Sequence, residues 1–275
     1  MLLRKRCICS MGRHHIRGVV FTGLLVAGLL EMLKLYVEKE ADRRLQDPQY
    51  HIVAIVQTQE TADRLQSGFF AECLDLSCDR PVNLYAFDLA KGEASLLAHP
   101  WIASAVIKKI PPGTLHIFYR MRQPIAYVGD MTNTAIDGEG VLFPVSPFYA
   151  SKKIPRIFLG LSPTELSWGK NIQKQPVFQM VLEVFAASKG MALDGVDCSR
   201  AGDKTLGGRE LVLRNQAGMS LRIYPHEIEE GCCKWIEFCK AFPEKSHGVL
   251  DLRFRKMGLF YERMGADTLE RRESR

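Results

Sequence analysis

The sequence lacks the short motifs that identify the common catalytic and metal-binding classes. No C-x-x-C pair is present, which excludes the usual zinc ribbon and thioredoxin-like motifs. His226-Glu227 begins an H-E-x-x-H pattern without its second histidine, and Gly202–Thr205 does not have P-loop spacing. In Gly160-Leu-Ser162-Pro163 the proline stops the helix that a nucleophile elbow needs. We therefore expect no enzyme, and we assign no catalytic residue, no cofactor and no metal ligand.

Acidic residues are missing from the first 17 positions, which hold five basic ones: Arg4, Lys5, Arg6, Arg13 and Arg17. The whole chain of 275 residues has a formal net charge of +6, so the tail supplies +5 and the other 258 residues carry +1. The basic charge is thus local rather than spread over a surface. This distribution argues against a nucleic-acid partner.

Long apolar runs are also scarce, since the only candidate, residues 18–30, is 13 uncharged residues long. A spanning helix needs about 20 residues. Extending the segment to Val37 reaches that length and places Glu31 and Lys34 near the far interface, where long side chains reach water. The positive-inside rule then places residues 1–17 in the cytoplasm. We predict a basic tail over 1–17, a transmembrane anchor over 18–37 and a juxtamembrane segment over 38–50.

Two alternatives to an anchor stay open. A cleaved signal peptide has the same basic start and the same core length, although no convincing small-x-small cleavage site follows the core here. A buried helix of a soluble protein would also suit the short core.

Eight cysteines are present, and their pairing does not follow from their spacing. Cys7 and Cys9 precede the predicted anchor, whereas the other six would face an oxidising compartment. Cys73 and Cys78 are close enough in sequence to pair. Cys232 and Cys239 instead share helical spacing with Trp235, which indicates a core face of one helix.

Residues 51–126 read as β-α-α-β-β. The alternation of Leu115, Ile117, Tyr119 and Met121 with more polar residues predicts a half-buried strand. The predicted elements are a strand over 52–57, helices over 62–76 and 89–98, and strands over 103–109 and 115–121.

Residues 127–265 show short strands, frequent turn residues and two amphipathic helices, followed by a charged tail over 266–275. The fold class is therefore α+β, with a mixed β-sheet domain and flanking helices as its second part. The fold of residues 145–205 as a whole is not assigned. The predicted strands are 126–129, 135–137, 142–144, 157–159, 209–214, 219–224, 248–254 and 258–261, and the helices begin at 176 and at 228.

The segment from Pro100 to Ala126 resembles, without a gap, the central motif of the FtsQ/DivIB bacterial cell-division family. Residues 83–89 and 136–143 also fit, as does the terminal pair 249–254 and 258–261. One departure is Met121, where the family usually has a glutamate. The resemblance implies that residues 51–126 form a POTRA domain and residues 127–265 the family's C-terminal β domain.

The resemblance further implies a single-pass protein of the bacterial inner membrane at the division septum. It would be a divisome scaffold that binds FtsB- and FtsL-like partners by strand addition and links early division assembly to septal peptidoglycan synthesis. Its POTRA domain would contact other division proteins. The alternatives are a POTRA-containing secretion or outer-membrane assembly factor and a membrane-anchored exported enzyme. The expected partner-binding residues are Arg253, Phe254, Leu259, Phe260 and Tyr261.

Overall fold

A computed structural model describes residues 5–59, 64–150, 152–162, 164–205, 207–245, 247–254 and 257–262, with side chains from residue 21 onward. These residues form a mixed α+β fold of five helices and twelve strands, so the predicted fold class is confirmed at that level. The predicted charged tail over 266–275 lies outside the described residues. The helices are α1 (Lys5–Gln46), α2 (Ser67–Cys73), α3 (Leu89–Leu97), α4 (Pro176–Ala187) and α5 (Ile228–Ala241).

The strands make two sheets. The first has three strands in the order β1-β3-β2, and the second has nine in the order β12-β11-β10-β9-β8-β7-β4-β5-β6. The strands are β1 (Ala54–Gln59), β2 (Ile102–Ile110), β3 (Thr114–Met121), β4 (Pro124–Val128), β5 (Thr134–Asp137), β6 (Leu142–Pro144), β7 (Arg156–Phe158), β8 (Leu193–Asp197), β9 (Leu211–Asn215), β10 (Met219–Ile223), β11 (Gly248–Asp251) and β12 (Leu259–Tyr261).

Helix α1 joins the predicted anchor and the predicted juxtamembrane segment in one continuous helix. Its large apolar side chains from Phe21 to Val37 are exposed. Among the described residues, no helix has the length and apolarity that crossing a membrane requires. Residues 18–20 of the predicted anchor precede the part whose side chains are described.

Asn83, which lies far along the chain, caps the C-terminal end of α1 through side-chain hydrogen bonds. The side-chain amide of Asn83 donates to the carbonyl oxygen of Arg44 at 2.9 Å and to that of Asp47 at 3.5 Å. The Asn83 Oδ1 atom accepts the backbone N–H of Tyr85 at 2.8 Å. The last carbonyls of a helix have no partner within the helix, so Asn83 satisfies groups that would otherwise be orphaned.

In the small sheet, the predicted alternation along β3 is confirmed, because Leu115, Ile117, Tyr119 and Met121 are all buried. The helix predicted over 62–76 is too long: α2 covers only Ser67–Cys73. The backbone at Gln66 is still extended, and Asp75 has a left-handed φ of 53°, which no α-helix continues through. Residues 62 and 63 of that prediction lie outside the described part.

The large sheet contains one strand that the sequence did not predict, β8 (Leu193–Asp197). Its sequence, Leu-Asp-Gly-Val-Asp, has two aspartates and a glycine, residue types that are depleted in strands. It forms because it pairs parallel with β7 on one side and antiparallel with β9 on the other. Tertiary pairing has overridden weak local preference here.

Among the described residues, side chains of the large sheet and of helices α4 and α5 pack together in one apolar core. Phe178, Val181 and Val184 of α4 are fully buried, as are Cys232 and Trp235 of α5. The predicted core role of Cys232 is therefore confirmed, and Cys239 packs partly buried against the same core. Phe242 follows the end of α5 and is exposed.

The chain divides into two compact units. The first comprises residues 1–58, 66–93 and 106–118, and the second comprises residues 59–65, 94–105 and 119–275. Strands β4 to β12 all belong to the second unit, which therefore holds the whole large sheet.

Candidate binding edge

Strand β12 is the terminal strand of the nine-stranded sheet. It pairs antiparallel with β11, with Asp251 opposite Leu259 and Val249 opposite Tyr261. An edge strand presents unpaired backbone N–H and C=O groups on its outer side, which is the template for adding a strand from another chain. The sequence-predicted partner residues 259–261 thus lie on a sheet edge.

The opposite edge of the sheet, β6, is covered by another segment of the chain. The Leu142 N–H donates to the Lys170 carbonyl at 3.1 Å, and the Gly169 N–H donates to the Leu142 carbonyl at 2.7 Å. Pro144, the last residue of β6, has no N–H to offer. Strand addition is therefore favoured at β12 rather than at β6.

The side chains of β12 alternate between the two faces of the sheet. Leu259 and Tyr261 are exposed, whereas Phe260 is partly buried against the core below α5. The ring of Phe260 lies 5.3 Å from that of Phe238, and the Lys245 ammonium group lies 5.1 Å from the Phe260 centroid. Phe260 therefore anchors the strand, while Leu259 and Tyr261 remain available to a partner.

The segment before β12 adds further apolar surface. Phe254 is 51% exposed and Met257 is 73% exposed, although both are large hydrophobic residues. Residues 255 and 256 between them lie outside the described part. We call the exposed residues Phe254, Met257, Leu259 and Tyr261 the edge patch. Four exposed apolar side chains within residues 254–261 favour an interaction surface here.

Gly248 at the start of β11 lets β12 approach closely. Its φ of +137° lies in a region that favours glycine, and a Cβ atom there would be 2.8 Å from the Tyr261 carbonyl oxygen and 2.9 Å from the Phe260 ring. A side chain at this position would therefore push β12 away from β11.

Arg253 was predicted to contact a partner, but its guanidinium group is engaged within the chain. It donates to both carboxylate oxygens of Asp251, at 3.0 and 2.8 Å, and to the Gly207 carbonyl at 3.2 Å. The same nitrogen that donates to Gly207, Nη1, also lies 3.2 Å from the Glu210 carboxylate. Burial alone would raise the pKa of Asp251, but the hydrogen bonds from Arg253 and the charges of Arg253 and Arg222 hold it below its ordinary value.

The structure thus places Phe254, Leu259, Phe260 and Tyr261 at one end of the sheet and directs Arg253 inward. Sequence reasoning did not find Glu210 or Arg222, which meet Arg253 around Asp251. Local spacing carries no signal for this meeting, because the pairing of β10 with β11 brings Arg222 next to Asp251 across 28 residues of intervening chain.

Among the described residues, the two fully buried cysteines offer no reactive thiolate. The six at positions 73, 78, 198, 232, 233 and 239 are all free thiols. Burial raises the pKa of Cys198 to about 12 and that of Cys232 to about 11, so neither is a reactive thiolate near neutral pH. Within the described residues, no group of three or more His, Cys, Asp or Glu side chains is arranged to hold a metal ion.

No protein-family model matches this chain. A search of curated proteins also gives no match.

Proposed function

We propose that the chain is a cell-division scaffold that binds FtsB- and FtsL-like partners by adding a partner strand to β12. The single observation that carries the proposal is the position of β12 as the terminal strand of the large sheet, with no further strand paired to its outer side among the described residues and with the edge patch next to it. Its backbone would supply the hydrogen bonds of strand addition, and the edge patch would supply apolar anchors. The chemistry is binding, with no bond made or broken.

The resemblance of residues 100–126 and 249–261 to the FtsQ/DivIB family motifs gives this scaffold its biological setting. In that setting residues 51–126 act as a POTRA domain that contacts other division proteins. The β-α-α-β-β order of elements between β1 and β3 agrees with this assignment.

The same proposal places the N-terminal tail in the cytoplasm and the residues after Val37 outside the inner membrane. Helix α1 supports it through its many exposed apolar side chains between Phe21 and Val37, which water solvates poorly and which only Glu31 and Lys34 interrupt with charge. Reporter fusions at residue 12 and after residue 60 test this topology. Cytoplasmic and exported signals respectively are expected, and the same side for both would refute the anchor.

Partner binding is tested by capture from membranes with the full chain and a pair of matched variants. Leu259→Lys places a charge in the edge patch, whereas Leu97→Lys places the same charge at the end of α3; the two leucines are 51% and 48% exposed. Fully burying a leucine is worth about 1.5–3 kcal/mol, so burying the exposed half of Leu259 is worth about half of that. Losing that contact corresponds to about a 3- to 12-fold loss of affinity.

We therefore expect Leu259→Lys to abolish most capture of FtsB- and FtsL-like proteins, measured by mass spectrometry of the co-purified material. Leu97→Lys should capture as the unmodified chain does. Equal capture by all three chains would move the binding site away from β12. Depletion of the protein should block septation while cell growth continues, and normal septation would contradict the divisome role.

A further inference from the structure

A network of charged side chains lies beside the binding edge, on strands β10 and β11 and the segment before β9. Its two carboxylates are nearly inaccessible: Glu210 is 7% exposed and Asp251 is 2% exposed. Arg222 makes a close ion pair with Glu210 through Nη2, and its Nε donates to the same carboxylate at 2.8 Å. Arg200 adds a contact to Glu210 at 3.1 Å.

Glu210 and Asp251 bind the guanidinium groups of Arg222 and Arg253, the two arginines nearest to β12. Arg253 binds Asp251 through two nitrogens and Glu210 through a third, as described above. Arg222 also lies 3.5 Å from Asp251, and its Nη1 donates to the Tyr261 hydroxyl at 3.4 Å. Arg200 also lies 3.6 Å from Asp203, so three carboxylates face three guanidinium groups, and the guanidinium group of Arg222 donates to the tyrosine of the edge patch.

We propose that Glu210 sets the charge specificity of the binding edge: by occupying Arg222 and Arg253, it makes β12 select an extended partner segment with apolar rather than acidic side chains opposite Leu259 and Tyr261. The inference rests on the proposed function for the existence of a partner strand. It adds the chemistry of that strand and a residue that determines it.

The physical reason is the cost of competition. A partner carboxylate would have to displace Glu210 or Asp251 from its arginine, and the displaced carboxylate would be left buried without a counter-ion. An apolar partner side chain over Leu259 and Tyr261 has no such cost and gains from burial. Removing the charge of Glu210 frees guanidinium groups next to β12 and opens the edge to carboxylates.

Binding of a fluorescent hexaglutamate peptide to the full chain in detergent tests this without any natural partner. The variants are Glu210→Gln and the matched control Glu230→Gln, which removes an equal charge from an exposed pair with Lys234. We expect Glu210→Gln to bind the peptide at least fivefold more tightly than both the unmodified chain and Glu230→Gln. The double variant Glu210→Gln/Arg222→Gln restores local neutrality and should return to the unmodified level. Equal binding by Glu210→Gln and Glu230→Gln would overturn the inference.

Capture of FtsB- and FtsL-like proteins at about 50 and 500 mM NaCl supplies the second arm, since screening weakens binding that depends on exposed charges. The amount of partner captured by the unmodified chain should differ less than about threefold between the two salt concentrations, and capture by Glu210→Gln should depend markedly more on salt. A tenfold loss for the unmodified chain would overturn the inference. Absence of any captured partner would refute the proposed function, while the hexaglutamate arm would still decide the role of Glu210.

Circular dichroism first establishes that each variant is folded. If Glu210→Gln is not, the charge-neutral variant Arg253→Met/Asp251→Asn takes its place. Partner capture within twofold of the unmodified chain is then expected, because Arg253 acts inside the network and does not touch the partner. A tenfold loss by a folded Arg253→Met/Asp251→Asn chain would overturn the inference.

Discussion

Replacing Arg122 with methionine removes the guanidinium group that pairs with a buried carboxylate in the motif segment. Arg122 Nη1 lies 2.6 Å from Asp137 Oδ2 and 3.2 Å from Glu139 Oε2, and its Nε donates to the Pro100 carbonyl at 3.0 Å. The side chains of Arg122 and Asp137 are 15% and 8% exposed, whereas that of Glu139 is 62% exposed. The cost of the substitution is therefore dominated by Asp137.

Breaking one side of a buried ion pair costs about 3–5 kcal/mol, because the remaining charge stays buried without its partner. The exposed contact with Glu139 adds about 0–1 kcal/mol. The other Asp137 oxygen keeps the backbone N–H groups of Glu139 and Val141, at 3.0 and 2.9 Å, which places the expected loss near the lower limit, about 3 kcal/mol.

Urea unfolding followed by tryptophan fluorescence measures this loss. Trp101 is close to the substituted residue, because its backbone carbonyl accepts the backbone N–H of Arg122 at 2.9 Å. A double-mutant cycle with Asp137→Asn separates the charge from the packing. We expect the double variant to recover at least half of the stability that Arg122→Met loses. A loss below about 1 kcal/mol for Arg122→Met would refute the reasoning that Asp137 depends on Arg122.

Three further outcomes are expected. Asn83→Ala, which removes the amide that caps α1, should lower the free energy of unfolding by about 1–3 kcal/mol in urea titrations; an unchanged midpoint would contradict the capping role. The pKa of Asp251 lies below its ordinary 3.8, so its stabilising contribution is present above that pH and is lost as the pH falls through the depressed value. Asp251→Asn should therefore reduce the fall of the free energy of unfolding with decreasing pH in this acid range; the same pH dependence in both chains would contradict this. N-ethylmaleimide at pH 8 should label the exposed Cys78 in the native chain and leave Cys198 unmodified until the chain unfolds, as peptide mass spectrometry would show; labelling of native Cys198 would contradict its burial.

Much of the secondary structure could be predicted because its signals are local. The alternation along β3, the proline that opens α4 and the turn between β9 and β10 each depend on a few adjacent residues. The missed strand β8 has no such signal, because its stability comes from neighbours on both sides. Helix α2 is shorter than its apolar spacing predicts, since the left-handed backbone at Asp75 stops it.

The candidate site also has a part that local sequence signals predict and a part that they do not. An apolar terminal strand is visible in the sequence, and Leu259 and Tyr261 do lie exposed on a sheet edge. The role of Arg253 is not visible there, because it depends on Glu210 and Arg222, which only the sheet brings close. The family resemblance therefore assigns Arg253 to a partner, because no local pattern in the sequence shows its contacts within the chain.

The inward direction of Arg253 also changes how strand addition at β12 should be understood. If the arginine contacted a partner directly, affinity would come largely from charge and would fall steeply with salt. With the arginine held by Asp251 and Glu210, we expect the affinity for the proposed partner to come from the backbone of β12 and from the apolar edge patch, neither of which salt screens. Before binding, Arg222 of this network donates to the Tyr261 hydroxyl, which orients that side chain of the edge patch.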